Sequence, residues 1–300
     1  MNEKQKKKIK MNTLTGKNID IVSLDSGIEG HPDFEGRIAS FIDFVNGRET
    51  LYDDFGHGTH VAGIIAGSGR MSGGVCRGYA PAARLHVLKI LDNKGNGSRD
   101  AIHRALGWIR ENQASKSLRI LNFSVGTVEN DRTLHREILD AVEGMVEMGL
   151  IVVAAAGNLG PRAGTVTAPG SSRKVLTVGA SDMLQHSFAY SGRGPTMDCV
   201  CKPEVIFPGK RVRACAASVE NKGWYCEKSG TSMSSAAVAG ILACYLEKYP
   251  NATNRDIKLR IRECTRDLGY PMNVQGWGEL DVKKFLGDTK SKAGPLRQSL

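Results

Sequence analysis

The sequence predicts an α/β fold of three layers, α/β/α, in which a mostly parallel central sheet is covered by helices on both faces. Two observations lead there. Short β-branched runs bounded by glycine or polar residues recur along the chain, and between them lie segments whose apolar residues repeat at helical spacing. That rhythm of strand, helix, strand, helix implies parallel pairing with crossover helices on either side.

The first run, "NIDIVSLD" at 18–25, reads as a buried strand ending on an acid, Asp25. "RLHVLKIL" from Arg84, "LRILNFSV" from Leu118, "LIVVAAAG" from Leu150 and "VLTVGA" from Val175 read the same way. "DAIHRALGWIREN" places Ile102, Ala105, Leu106 and Ile109 on one helical face, and "TLHREILDAVEGMVEMG" does so with Leu134, Ile138, Val142 and Met145. A chain of 300 residues suits one large domain or two ordinary ones. It shows neither linker nor internal repeat, so one domain over 13–287 is expected, between a flexible basic segment at 1–12 and a flexible tail at 288–300.

The formal charge is +10, but residues 1–10 hold five lysines against one glutamate, and the rest is spread thinly. This pattern does not point to nucleic acid. No apolar run approaches the roughly 20 residues that a membrane-spanning helix needs, so no membrane partner is expected either. Seven cysteines make an odd count, and several stand in apolar surroundings such as "GILACYL". Together with the lack of an apolar run after the N-terminal lysines, this favours a cytoplasmic protein over a secreted one. "CVC" at Cys199–Cys201 lacks a second pair or a nearby histidine at zinc spacing, so no metal is expected there.

In open α/β sheets, functional residues gather beyond the carboxyl ends of the strands. There the sequence delivers Asp25 in "LDSG", then "SVG" at 124–126, then Asn158 in "AAGN". Two further segments carry chemistry. "DFGHGTHVAG" holds His57 and His60 between glycines, and "SGTSMSSAAVAG" holds Ser232 at a helix start. An acid, an imidazole and a hydroxyl are what nucleophilic acyl transfer requires, because the hydroxyl needs a base and the base needs an orienting partner. The small residues around Ser232 would let a substrate backbone reach the helix N-terminus.

"DSG", "GHGTHVAG" and "GTSM" followed by "VAG" resemble the motifs of the subtilisin-like serine proteases, and the resemblance runs from about Thr15 to Leu286. It implies the subtilisin-like form of the α/β/α fold and a serine endopeptidase that needs no cofactor for catalysis. On the matching positions, Asp25 would be the orienting acid, His57 the general base, Ser232 the nucleophile and Asn158 the side-chain donor of an oxyanion hole. His60 matches a structural histidine, leaving Ser229, Ser234 and Ser235 to packing and capping. A peptide or protein substrate would bind extended between Gly95, Asn96 and Gly97 on one side and Ser124, Val125 and Gly126 on the other. The pocket for the residue before the cut would be walled by Ser124–Gly126 and by Ala155, Ala156 and Gly157. Thr167 and Ala168 would lie near its base and Leu159 at its rim, which predicts a medium apolar residue such as Leu or Met. Arg99, Ile102 and Val125 fall near a more distant subsite.

The chain also departs from the resemblance. Ala236 and Ala237 replace a usual proline and histidine, which leaves peptide ligation open beside hydrolysis. The segment 67–80, where many secreted relatives carry calcium, contains no carboxylate or asparagine, so structural calcium is not supported. A dedicated maturation protease and a peptide-binding pseudoprotease remain as other readings. The sequence leaves the oligomeric state open.

Overall fold

The computed structural model describes residues 14–126, 132–185 and 189–287, so the expected terminal segments at 1–12 and 288–300 lie outside the described residues. In chain order come β1 (Asp20–Asp25), β2 (Ile38–Asp43), α1 (His57–Ala66), β3 (Arg84–Lys89), α2 (Arg99–Asn112), β4 (Leu118–Phe123) and α3 (Arg132–Glu147). Next are β5 (Ile151–Ala155), β6 (Leu176–Ala180), β7 (Val205–Phe207), β8 (Val212–Cys215), β9 (Tyr225–Lys228) and α4 (Thr231–Lys248). The chain closes with α5 (Asn254–Glu263), β10 (Thr265–Arg266), α6 (Met272–Gln275), β11 (Glu279–Leu280) and α7 (Val282–Leu286).

The main sheet runs β10-β11-β7-β6-β5-β4-β1-β3-β2, and β8 and β9 form a separate hairpin. Its ladders are parallel except for the last pair, β10 with β11. The three-layer α/β/α prediction matches this architecture. Strict alternation along the strands divides the core. On β5, Ile151 and Val153 face the layer of α1 and α4, whereas Val152 and Ala154 face the layer of α2 and α3. The helical periodicity holds residue by residue, since Ile102, Ala105, Leu106 and Ile109 are buried, as are Leu134, Ile138, Val142 and Met145. Each fully buried Val, Ile or Leu contributes about 1.5–3 kcal/mol relative to exposure.

The helix α4 is the exception to amphipathic design. Every residue from Thr231 to Leu246 is buried, because α4 lies between the sheet and α1. A Cβ added at Gly240 would stand 2.8 Å from Tyr79 Cβ and 3.0 Å from the Ile65 carbonyl of α1, so the helices approach backbone to backbone. This explains the small residues of "SGTSMSSAAVAG": they allow a helix to occupy the middle of the molecule and present its N-terminus to a groove.

Candidate active site

Parallel pairing brings β1, β4 and β5 to end on the same side, one strand beside the next. Asp25 closes β1, Ser124–Gly126 follow β4, and Asn158 follows β5. α1 opens on His57, and α4 places Ser232 in its first turn.

Asp25 is wholly buried, and its Oδ1 accepts from His57 Nδ1 at 2.7 Å and from the Ser26 N–H at 2.8 Å. A carboxylate at that distance holds the proton on Nδ1 and leaves Nε2 as the basic nitrogen. Burial opposes a charge on the His57 ring. The Asp25 carboxylate, through its charge and its hydrogen bond, outweighs that penalty, with Asp53 adding to it, and the imidazole is held above its ordinary pKa. His60 behaves in the opposite way. Its Nε2 donates to the Val212 carbonyl at 3.0 Å, while burial and then the charges of His57 and Lys228 push its pKa down to about 4. It is a neutral, structural ring.

The Ser232 hydroxyl donates to the Ser124 carbonyl at 2.6 Å, and His57 Nε2 has no hydrogen-bond partner among the described residues. The hydroxyl therefore rests on the Ser124 carbonyl and not on His57. Ser124 is itself fixed, since its Oγ accepts from Asn122 Nδ2 at 2.6 Å and lies 3.2 Å from Ser235 Oγ. Ser234 bonds the Phe207 carbonyl at 2.8 Å, Ser235 Oγ donates to the Ser232 carbonyl, and Ser229 accepts from the Arg211 N–H. All three are engaged in packing and turns.

Asn158 stands across from the start of α4. Its Oδ1 accepts the Thr231 N–H at 3.0 Å and the Thr231 hydroxyl at 3.2 Å. Because Oδ1 is the acceptor, the amide nitrogen must face the other way, towards Gly230, where an added Cβ would be 3.3 Å from Nδ2. Gly230 has φ 153°, a conformation that side chains disfavour, and keeps this space open. Met233 N–H takes the Gly230 carbonyl, while the Ser232 N–H has no partner among the described residues. Two donors at the positive end of a helix can stabilise an oxyanion.

The structure describes the surroundings of the residues expected at the substrate edges. The Asn96 carbonyl is already used by the Asp92 N–H at 2.9 Å, so that group is committed to its own turn. Gly95 is covered by the Phe55 ring, which also lies 6.4 Å from the His57 ring. Ala155, Ala156 and Gly157, the expected opposite wall, follow one another at the end of β5, with Ala156 fully buried and Leu159 49% exposed. Ala168 is fully buried beside α2 and α3. Thr167 packs against both walls, since Cβ atoms added at Gly126 and Gly157 would stand 2.1 and 2.7 Å from its Oγ1. Arg99, expected near a more distant subsite, is paired with Glu137.

Sequence reasoning missed the groups that hold the pair together. Asp53 is buried, and its Oδ1 accepts from Ser26 Oγ and the Gly56 N–H, both at 2.8 Å. Its Oδ2 accepts from the Thr59 N–H at 2.8 Å and the Thr59 hydroxyl at 2.7 Å. Asp53 thus caps α1 from outside, in place of the side-chain cap that Gly56 cannot supply, and ties the end of β1 to the start of α1. Lys89, fully buried, donates to the Ser26 carbonyl and to Asp54, both at 2.6 Å. The signal lay in "DDFGHG", two acids before a glycine-led helix. Asp53→Ala is expected to lower kcat about tenfold to a hundredfold with KM little changed, because small misplacements of reacting groups are costly. Steady-state kinetics beside a thermal melt checks this.

A match to the Subtilase family model covers residues 16–278. The chain belongs to the subtilase family. AprX, a serine protease of Bacillus subtilis (strain 168), is 36% identical over 298 residues, 90% of this chain and 66% of that protein. Subtilisin Savinase of Lederbergia lenta is 33% identical over 270 residues, 90% of this chain and 91% of that protein. A crystal structure of a cold-adapted subtilisin-like serine proteinase superposes with a TM-score of 0.70 at 26% identity, covering 90% of this chain and 89% of that one. The chain spans just under two thirds of AprX and 64% of the thermostable alkaline protease of Halalkalibacterium halodurans.

Subtilases often bind structural calcium and need no cofactor for catalysis. The segment 67–80 does not fit calcium in this subtilase. The Gly69 and Met71 N–H groups turn inward to the Asp33 carboxylate, so the loop offers it donors. One metal-like cluster occurs among the described residues: His31, Asp33 and Cys215. Its histidine is spent, with Nδ1 accepting from the Asp33 N–H and Nε2 donating to the Trp224 carbonyl. Burial, followed by Asp33, drives the Cys215 thiol far above its ordinary pKa, so no thiolate is available there. These groups pack the loop; they do not fit a metal. Among the described residues, no helix is long and apolar enough to cross a membrane.

Proposed function

We propose that this subtilase is a serine endopeptidase that hydrolyses peptide bonds in extended peptide or protein substrates through an acyl-enzyme on Ser232. The observation that carries the reading is the Asp25–His57 pair at 2.7 Å, with His57 opening α1 and Ser232 in the first turn of α4, which packs against α1. The resting hydroxyl suggests how a substrate engages it. A peptide N–H pairing with the Ser124–Gly126 edge competes for the Ser124 carbonyl that Ser232 now holds, and the released hydroxyl turns to His57 Nε2. His57 takes its proton as Oγ attacks the scissile carbonyl, and Asp25 stabilises the imidazolium. The new oxyanion lies between Asn158 Nδ2 and the Ser232 N–H. His57 then protonates the leaving amine, and water repeats the cycle to free the acid product. The walls at Ser124–Gly126 and Ala155–Gly157 carry no charged side chain, which supports an uncharged, medium apolar residue before the cut.

Ala236 is fully enclosed by the core, so its small size opens no surface space for an incoming amine, and this favours hydrolysis over ligation. Seven free thiols, five of them buried, support a reducing compartment such as the cytoplasm.

The test is a fluorophosphonate probe applied to the protein and to Ser232→Ala, with the labelled residue found by mass spectrometry. Label on Ser232 of the parent alone is expected. A folded parent that takes no label would make the protein a peptide-binding relative. A cleavage profile then separates broad proteolysis from maturation of one precursor.

A further inference from the structure

Resting on the endopeptidase reading, we infer that one buried water, held by Asp25 Oδ2, Ser23 Oγ and Asn122 Oδ1, supports the catalytic acid from behind and makes Ser23 a positioning residue. These three atoms are buried and have no hydrogen-bond partner among the described residues. Ser23 is 1% exposed, and Asp25 and Asn122 are wholly buried. All three side chains share one face of the sheet. Val22 and Leu24 of β1 face the layer of α2 and α3, so Ser23 and Asp25 face that of α1 and α4, as Ile21 does. On β4, Leu121 and Phe123 face α2 and α3, which turns Asn122 with Ile120 to the other side. Parallel pairing sets Ser23 beside Asn122 on one flank and beside Val87 on the other. Val87 offers no polar group. The polar neighbours of the Ser23 hydroxyl on this face are therefore Asn122, one strand spacing of about 5 Å away, and Asp25, two residues on.

The orientation of Asn122 follows from the donors on its other side. Ser235 Oγ uses its one hydrogen on the Ser232 carbonyl at 3.0 Å, so Ser124 Oγ is the donor in its 3.2 Å contact with Ser235 Oγ. Ser124 Oγ must then accept from Asn122, which presents Nδ2 to it at 2.6 Å and keeps Oδ1 as an acceptor on the far side. What is left in this buried place is a carboxylate oxygen, an amide oxygen and a hydroxyl that can donate. A water fits that set. Its two O–H bonds serve Asp25 Oδ2 and Asn122 Oδ1, and its oxygen accepts from Ser23, giving the three hydrogen bonds usual for a buried water. A buried carboxylate oxygen without a donor costs more than a neutral group left unpaired. The water gives Asp25 a donor at Oδ2, beside the Ser26 N–H that serves Oδ1. It also joins the acid, through Asn122, Ser124 and Ser235, to the backbone carbonyl of the nucleophile. Asp25 and Ser232 are thus held by a polar chain that bypasses His57.

The charged and titratable groups around Asp25 are His57 and His60 on α1, Asp53 ahead of it, Lys89 on β3 and Lys228 on β9. The groups that β4 and α4 present here, Asn122, Ser232 and Ser235, are uncharged. A carboxylate that loses a donor becomes a stronger base and holds the imidazolium more tightly. A crystal structure of the parent at a resolution that shows water is expected to place one ordered water within hydrogen-bond reach of all three atoms. Kinetics of Ser23→Val, Ser23→Ala and Ser23→Thr, with fluorophosphonate labelling of Ser232 followed in each, give its role. Ser23→Val fills the site with methyl groups and is expected to lower kcat about tenfold, the scale of one hydrogen bond to a charged group, with KM little changed. It should also raise the midpoint of the acidic limb of kcat/KM by roughly half a pH unit and move the proton resonance of His57 Nδ1–H. Ser23→Ala leaves the water two partners, loses less, and stands in if the valine variant melts early. Ser23→Thr keeps the hydroxyl and recovers most of the loss. No water at the site overturns the inference and leaves the endopeptidase reading standing. So do labelled variants whose melting temperature alone changes, with kcat, midpoint and resonance as in the parent. A folded parent that neither labels nor cuts any peptide overturns both.

Discussion

Replacing His57 by alanine is expected to lower kcat about a millionfold, the loss that subtilisin shows when either its histidine or its serine is removed. The size follows from the geometry. Asp25 is wholly buried and its Oδ1 is directed at His57 Nδ1, which leaves His57 Nε2 as the base for the Ser232 proton. Ser232→Ala should cost as much, and the double variant no more, because either change disables the same proton transfer. The pH profile supplies a second readout. Protonated His57 cannot act as a base, and Asp25 with Asp53 holds the ring above its ordinary pKa of about 6.5 against the penalty of burial. The acidic limb of kcat/KM should therefore have its midpoint above that value, with activity falling as pH drops through it. A midpoint at or below 6.5 would mean that these carboxylates do not govern the base. Steady-state kinetics between about pH 4.5 and 9, on a peptide that does not titrate there, decides it.

The parts of this molecule that were legible in the sequence are those whose signal is local. α2 and α3 each have one apolar face and one wet face, so their 3.6-residue pattern survives in the chain. β5 is buried on both sides and reads as a continuous apolar run, and β1 and β4 read as apolar runs broken by one or two polar residues. α4 is different: a helix enclosed all round has no polar face to set a period, and only its small residues betray it. β2 is half exposed, and β10 and β11 have two residues each, too few to make a pattern. The candidate catalytic residues were legible because their flanking glycines and small residues are local too. Asp53 and Lys89 were not singled out, because what they do depends on partners outside their own motif: Ser26 and Thr59 for Asp53, Ser26 and Asp54 for Lys89. The type of each residue could be read directly, but not the neighbour that gives it meaning.

Asn158→Ala is expected to lower kcat by about 10²–10³ with KM nearly unchanged, because its amide serves the oxyanion and not the ground-state carbonyl; the corresponding subtilisin substitution sets this scale. The loss should be one of position as much as of chemistry. Asn158 follows a strand end on an exposed turn, and what aims its amide is Thr231, whose N–H and hydroxyl both reach Oδ1. Thr231 in turn accepts the Gly157 N–H at 3.1 Å, so the wall of the slot, the oxyanion donor and the start of α4 form one hydrogen-bonded unit. Thr231→Val keeps the volume and the backbone N–H but removes the hydroxyl, leaving Asn158 Oδ1 one tether in place of two and the Gly157 N–H without its acceptor. Its kcat should fall by less than that of Asn158→Ala, and the double variant should lose little beyond Asn158→Ala alone, because the threonine acts through the asparagine. Full additivity of the two losses would show that Thr231 supports Ser232 directly and that Asn158 is held by other means. The second donor, the Ser232 N–H, is fixed by the fold of α4 and remains in every variant, which is why Asn158→Ala should retain measurable turnover where His57→Ala should not.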